Sequence, residues 1–106
     1  INQDFVLINE KENIYIIADG MGGHLSGEVA SHLACSTIEE YLLKHKKKGK
    51  SYPKLINKAI KEANKTIWEA SAKEIDNRGM GTTVTLLMFI SKNIILLKLE
   101  IAGLIQ

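Results

Sequence analysis

The sequence has 106 residues, of which 45% are hydrophobic and 25% are charged, and a chain of this length forms one domain at most. Lysine and arginine together number 14, against 12 for aspartate and glutamate. Much of the basic charge lies in one run, Lys44 to Lys50, which is typical of a solvated helix end and loop. This balance argues against nucleic acid as a partner.

No apolar run reaches the roughly 18 residues that a membrane-spanning helix needs. The single cysteine, Cys35, cannot form an internal disulfide, and the first residues lack the charged, apolar and small-residue order of a secretion signal. We therefore expect a soluble, cytoplasmic protein with no membrane partner. Cys35 is expected to be a small core residue.

The first half of the chain predicts two strands and a helix. Two short β-branched and aromatic runs predict a hairpin of strands over Phe5 to Asn9 and Ile14 to Ala18. A glycine-rich segment follows directly. From about Ser26 the apolar residues take helical spacing, and Ser26 itself is a suitable N-cap.

The second half predicts a helix and two further strands. The helix begins near Pro53 and keeps its apolar spacing to Ala70. A buried strand is predicted over Thr82 to Ile90, and the apolar segment from Ile94 to Leu104 is expected to pair as another. The order strand, strand, helix, helix, strand, strand predicts an α+β fold, with a helix layer on an antiparallel sheet.

The segment IADGMGGHLSGEVAS, from Ile17 to Ser31, combines the carboxylate of Asp19 with four glycines and His24. It does not have the Gly-Lys-Ser/Thr ending of a phosphate-binding loop, which makes a nucleotide site the weaker interpretation. A plain turn is the commonest explanation of the Asp-Gly pair at Asp19 and Gly20. A solvated loop position is likewise the commoner state for His24, although it could relay protons.

A second acid favours a metal site over a turn. Asp4 begins the strand that is predicted to pair with the one ending at Asp19, so a hairpin would bring the two carboxylates together. Glycine at position 20 would let its backbone carbonyl approach a hard cation closely. Asp4, Asp19 and Gly20 are therefore the candidate ligands of Mg²⁺ or Mn²⁺.

Three motifs resemble those of the protein phosphatase 2C (PPM) family of metal-dependent serine/threonine phosphatases, in its bacterial form. They are NQD at Asn2 to Asp4, ADGMGGHLSGEVAS at Ala18 to Ser31, and GMGTT at Gly79 to Thr83. The resemblance implies that Asp19 bridges two Mn²⁺ or Mg²⁺ ions. It also implies that the Gly20 carbonyl binds one ion, that Asp4 binds directly or supports a ligand, and that Gln3 and His24 lie around them.

The resemblance also implies an activity and a larger fold. In that family the metal ions activate a water that attacks the phosphorus of a protein phosphoserine or phosphothreonine. The implied substrate is thus a phosphorylated protein, and a serine/threonine kinase is a candidate partner. The implied full-length fold is an αββα sandwich of two antiparallel sheets between helix pairs, of which residues 1–106 would form the N-terminal part. Thr82 and Thr83 are expected to be structural.

Two departures from the family pattern stand out. The arginine that grips the substrate phosphate would precede Ile1, and no Gly-Asp-Ser-Arg motif follows the strand that ends near Ile90. Loss of one base in an adenine run near Lys92 would convert the expected family segment into the residues found from Ser91 to Leu104. We therefore expect residues 91–106 to be a frame-shifted tail, and the chain to be incomplete for catalysis.

Two other functions stay open at this point. A non-catalytic remnant or pseudophosphatase could act as a binding module and retain Asp19 only by descent. An unrelated nucleotide-binding α+β domain is the weaker alternative. Turnover of a phosphopeptide with Mn²⁺ separates the first from an active phosphatase, and nucleotide titration tests the second.

Overall fold

The computed structural model describes residues 4–21, 26–45, 52–73, 80–90 and 93–102. These residues form six elements: β1 (Asp4–Asn9), β2 (Ile14–Met21), α1 (Ser26–His45), α2 (Tyr52–Lys73), β3 (Gly81–Ile90) and β4 (Asn93–Ala102). The order is the predicted one, and the α+β class is confirmed. Within the described residues, no helix combines the length and apolarity that a membrane crossing requires.

The four strands form one sheet in the order β1-β2-β3-β4, and every neighbouring pair is antiparallel. The turn between β1 and β2 is closed by the backbone N–H of Asn13, which donates to the Glu10 carbonyl at 3.2 Å. Asn13 has a φ of 59°, a left-handed conformation that asparagine tolerates better than most residues. The predicted hairpin is confirmed, and its turn chemistry fits its sequence.

One face of the sheet packs against both helices and forms the core. Alternate residues of β2 and β3 point into it, and so do the apolar stripes of the two helices. Fully buried members are Ile14, Ile16, Ala18, Val84, Leu86, Ala34, Ile38, Leu42, Ala59, Ala63 and Ile67. Each large aliphatic side chain buried in this way stabilises the fold by about 1.5–3 kcal/mol. Cys35 is also fully buried, as predicted.

The opposite face of the sheet, called the outer face below, also carries apolar side chains. Its exposed members include Val6, Ile8, Ile17, Met21 and Phe89. They alternate along the strands with the residues that pack on the helices. The sheet is thus apolar on both sides, and the described helices cover one of them.

All four strands differ from their predicted bounds: β1, β3 and β4 each begin one residue earlier, and β2 ends later. β2 was predicted to end at Ala18, but it continues to Met21 because β3 pairs with its last residues, placing Asp19 opposite Thr83 and Gly20 opposite Thr82. This pairing outweighs the poor strand propensity of Asp-Gly. Asn93–Ala102 pairs with β3 over its whole length, which confirms the predicted last strand over residues 94–102, while residues 103 and 104 lie outside the described residues. The frame-shifted origin of residues 91–106 stays a prediction.

Candidate metal centre

Asp4 and Asp19, called the acid pair below, lie directly opposite each other on β1 and β2. Residues opposite one another on antiparallel strands place their side chains on the same face, with Cβ atoms about 4.5–5.5 Å apart. The neighbours Phe5 and Ala18 pack toward the helices, so the acid pair lies on the outer face. Both aspartates are exposed.

The interaction between the two carboxyl groups changes the pKa of Asp4. A side-chain hydrogen bond with Asp19 is the main cause that raises the pKa of Asp4 above its ordinary value. Desolvation and the negative charge of Asp19 act in the same direction. The strands therefore hold two acids where like charges repel, and a cation placed between them would relieve that repulsion.

The backbone beneath the acid pair is fixed from two sides. Phe5, next to Asp4, contacts the ring of His32 on α1, with the ring centroids 3.8 Å apart. Ala18, next to Asp19, is fully buried under the helices. At the far end of β1, the Asn9 side-chain amide donates to Glu39 Oε2 of α1 at 2.9 Å. Both ends of β1 are thus attached to α1.

Gly20 follows Asp19 and lies inside β2, where Thr82 of β3 is its partner. Thr82 is fully buried, and its hydroxyl donates to the Thr83 carbonyl at 2.9 Å. Because Gly20 has no Cβ, its backbone can be approached more closely than that of other residues. The Gly20 carbonyl remains a candidate oxygen donor next to the two carboxylates.

The structure brings together two of the predicted site residues and leaves two untested. The convergence of Asp4 and Asp19 that the hairpin predicted is confirmed. Gln3 and His24 lie outside the described residues. The described part of the chain contains no group of three or more His, Cys, Asp or Glu side chains placed to hold a metal. The ligand roles of Asp4, Asp19 and Gly20 stay predictions.

Thr83 is the residue near the acid pair that sequence reasoning treated as structural only. It lies opposite Asp19 on β3, which gives a polar row across three strands, from Asp4 through Asp19 to Thr83. The alternation in GTTVT contains the signal, because burial of Val84 turns Thr83 and Thr85 toward the other face. What the sequence does not contain is the register that aligns Thr83 with Asp19.

The donor chemistry of the site fits Mg²⁺ or Mn²⁺. Carboxylate and carbonyl oxygens suit these hard cations, whereas softer metals favour nitrogen or sulfur ligands. Asp4 and Asp19 are direct partners in the strand register, and the hydrogen bond between their side chains raises the pKa of Asp4. When both are ionised they supply two negative charges, enough to balance one divalent cation.

Comparison with known proteins identifies the family of this chain. The family model described as protein phosphatase 2C matches residues 1–99. A serine/threonine phosphatase from Listeria innocua is 36% identical over 77 residues, covering 71% of this chain and 31% of the relative. The crystal structure of the Mycobacterium tuberculosis serine/threonine phosphatase PstP matches with a TM-score of 0.81 and 31% identity.

That crystal structure is matched over 93% of this chain and 40% of its own length. A structure of the PstP catalytic domain in complex with two manganese ions matches with a TM-score of 0.79 and 31% identity, over 92% of this chain and 41% of that one. The chain thus spans less than half the length of each of these relatives. The described fold corresponds to part of a phosphatase catalytic domain.

Proposed function

The chain belongs to the protein phosphatase 2C family, and from that premise we propose that its acid pair belongs to a two-metal centre of Mn²⁺ or Mg²⁺. The proposed activity is hydrolysis of phosphoserine and phosphothreonine esters in proteins. A serine/threonine kinase that phosphorylates the same substrates would be its functional partner. The observation that carries this proposal is the register that sets Asp4 opposite Asp19.

Each residue of the site has a distinct part in the proposal. Asp19 lies on β2 between β1 and β3, so its backbone is held on both sides and its carboxylate is the main cation ligand. Asp4 adds the second carboxylate, and the Gly20 carbonyl a neutral oxygen. When bound, the metal ions neutralise the charge of the phosphate ester and activate a water for attack on phosphorus.

The charge of the site supports a second candidate, a non-catalytic binding module. Two carboxylates balance half of the four positive charges on two divalent cations. A site with this charge would bind one cation weakly and a second more weakly still. Such a chain could keep the family fold and bind a partner without turning over a phosphate ester.

The first experiment measures Mn²⁺ binding by calorimetry for the 106-residue chain and its Asp19→Asn variant. We expect weak binding by the original chain and none by Asp19→Asn. Glu10→Gln is the matched control, because Glu10 is an exposed acid in the turn at the other end of the hairpin. Binding that Asp19→Asn leaves unchanged would contradict the metal assignment.

The second experiment separates the two candidate functions. Release of phosphate from a phosphothreonine peptide is measured with Mn²⁺ and again after a chelator is added. Turnover that depends on Mn²⁺ and is lost in Asp19→Asn supports the phosphatase. Mn²⁺ binding without any phosphate release supports the non-catalytic module.

A further inference from the structure

We propose that the exposed side of α2 is a docking surface for an acidic, extended segment of another protein. The surface consists of four exposed lysines, called the lysine stripe below: Lys54, Lys58, Lys61 and Lys65. The inference does not depend on the metal centre, because no residue of the stripe belongs to that centre.

The lysine stripe follows from the spacing of its members along the helix. Successive members are four, three and four residues apart, which puts them on one side of an α-helix. The buried residues of α2, among them Ala59, Ala63 and Ile67, lie on the opposite side. The four side chains therefore start from one line that is about 16 Å long, at 1.5 Å of rise per residue.

The charge around the stripe is unbalanced, although that of the whole chain is nearly balanced. The net charge of the chain is +2. The stretch from Tyr41 to Lys61 nevertheless contains eight lysines and no aspartate or glutamate. A surface with charge of one sign attracts oppositely charged partners and speeds their association. The partner that fits this surface is therefore acidic.

The acids of the same helix leave the stripe available. Glu62 and Glu69 are exposed on α2 beside the stripe. Among the described residues, no ion pair joins either of them to one of the four lysines. A partner would thus meet these ammonium groups without first displacing an acid of α2.

A large aromatic side chain lies at the C-terminal end of the stripe. Trp68 is 37% exposed, and it follows Lys61 by seven residues and Lys65 by three, so it lies on the same side of α2. Tryptophan is enriched among the residues that dominate binding at protein–protein interfaces. A segment with an apolar residue after its acids would contact the stripe and Trp68 together.

The length of the stripe fits a short extended segment. Side chains on one side of an extended chain repeat about every 6.6 Å, so three acids at alternate positions span about 13 Å. That span lies within the length of the stripe. An anionic membrane fits less well, because α2 buries its apolar side in the core and has none left to insert between lipids.

The experiment follows binding by the fluorescence of Trp68, the only tryptophan in the sequence. The probe is a synthetic peptide with three glutamates at alternate positions followed by leucine, and the control peptide has glutamine in their place. Both are titrated into the 106-residue chain without metal. We expect the acidic peptide to shift the emission saturably, with an affinity that falls as salt is added, and the control peptide to have no effect.

Two double variants with the same loss of charge test whether the stripe is the binding surface. One carries Lys58→Gln and Lys61→Gln. The other carries Lys11→Gln and Lys73→Gln, which remove two lysines that are also exposed but lie outside the stripe. We expect the first to bind the acidic peptide about 5-fold more weakly, as the loss of two exposed charge pairs predicts, and the second to bind it normally.

Equal weakening in the two double variants would reduce the effect to net charge and overturn the proposal. It is also overturned if the acidic peptide leaves the Trp68 emission unchanged. The third contrary result is binding of phosphatidylserine vesicles or a DNA duplex at an ionic strength where the peptide does not bind. Because no Mn²⁺ is present, none of these outcomes bears on the metal centre.

Discussion

Both faces of the sheet carry apolar residues, but one face packs against the helices and the other is exposed. Along β2, Ile16 is fully buried under the helices, while its neighbour Ile17 is 54% exposed on the outer face. Apolar character is therefore shared by both faces, and position relative to α1 and α2 decides which face forms the core. What distinguishes the outer face is its polar row, in which the acid pair lies beside exposed apolar side chains such as Val6 and Ile17.

The outer face exposes several large apolar side chains. Val6, Ile8 and Ile17 are all more than half exposed, and they occupy neighbouring positions on paired strands. Exposed apolar side chains that lie next to one another in this way make up a patch on the outer face. The helix-covered face thus forms the core of the fold, and the outer face carries the acid pair beside exposed apolar side chains.

The sharpest test of this contrast uses the adjacent pair Ile16 and Ile17. Ile16→Ala is expected to lower the free energy of unfolding by about 2–5 kcal/mol, because it leaves a cavity under the helices. Ile17→Ala removes the same atoms from a half-exposed position and is expected to cost less than about 1 kcal/mol. Urea denaturation measures both. Equal losses would mean that the outer face is also packed in solution.

A second test compares two buried serine hydroxyls on the helix-covered side, one with a hydrogen-bond partner and one without a partner among the described residues. Ser31 is buried and donates to the Glu28 carbonyl at 3.1 Å, whereas the buried Ser71 Oγ has no hydrogen-bond partner among the described residues. Ser31→Ala is expected to destabilise by about 1 kcal/mol and Ser71→Ala to be neutral or stabilising. Thermal unfolding of the two variants gives the comparison, which fails if Ser71→Ala is the more destabilising.

A smaller effect is expected on the outer face, where Asp4→Asn removes one charge of the acid pair. The raised pKa of Asp4 means that the folded chain binds this proton more readily than the unfolded chain does. Stability from this group is therefore present at low pH and is lost as pH rises through the pKa of the folded state.

Asp4→Asn is accordingly expected to raise the unfolding temperature slightly at neutral pH, and to have no such benefit in acid where Asp4 is protonated. The measurement is thermal unfolding of both chains at the two pH values without metal. A benefit of the same size at both would show that repulsion within the acid pair is not its cause.

The hairpin half of the site could be predicted from the sequence, because it depends on neighbours along the chain. FVLIN and IYIIA are short β-branched and aromatic runs, and in the register that follows their short connection Asp4 lies opposite Asp19. The continuation of β2 to Met21 could not be predicted in this way. Asp19 and Gly20 favour turns by themselves, and the pairing that extends the strand comes from β3.

Thr83 illustrates the same limit. Alternation along β3 indicates its face, but its alignment with Asp19 depends on how a strand distant in sequence docks beside β2. That docking is set by the core that α1 and α2 share with the sheet, and no local motif encodes it. The local sequence pattern therefore predicts that Asp4 and Asp19 are partners. Tertiary packing determines that Thr83 lies beside them.

The four-residue connection from Glu10 to Asn13 has a consequence for length variation in this protein. It is exposed at its tip and lies at the opposite end of the hairpin from the acid pair, so it resembles a harmless place for an insertion. Yet one added residue that shifted the register of β1 would turn Asp4 toward the helices and Phe5 toward water. The register that sets Asp4 opposite Asp19 therefore depends on the length of this turn.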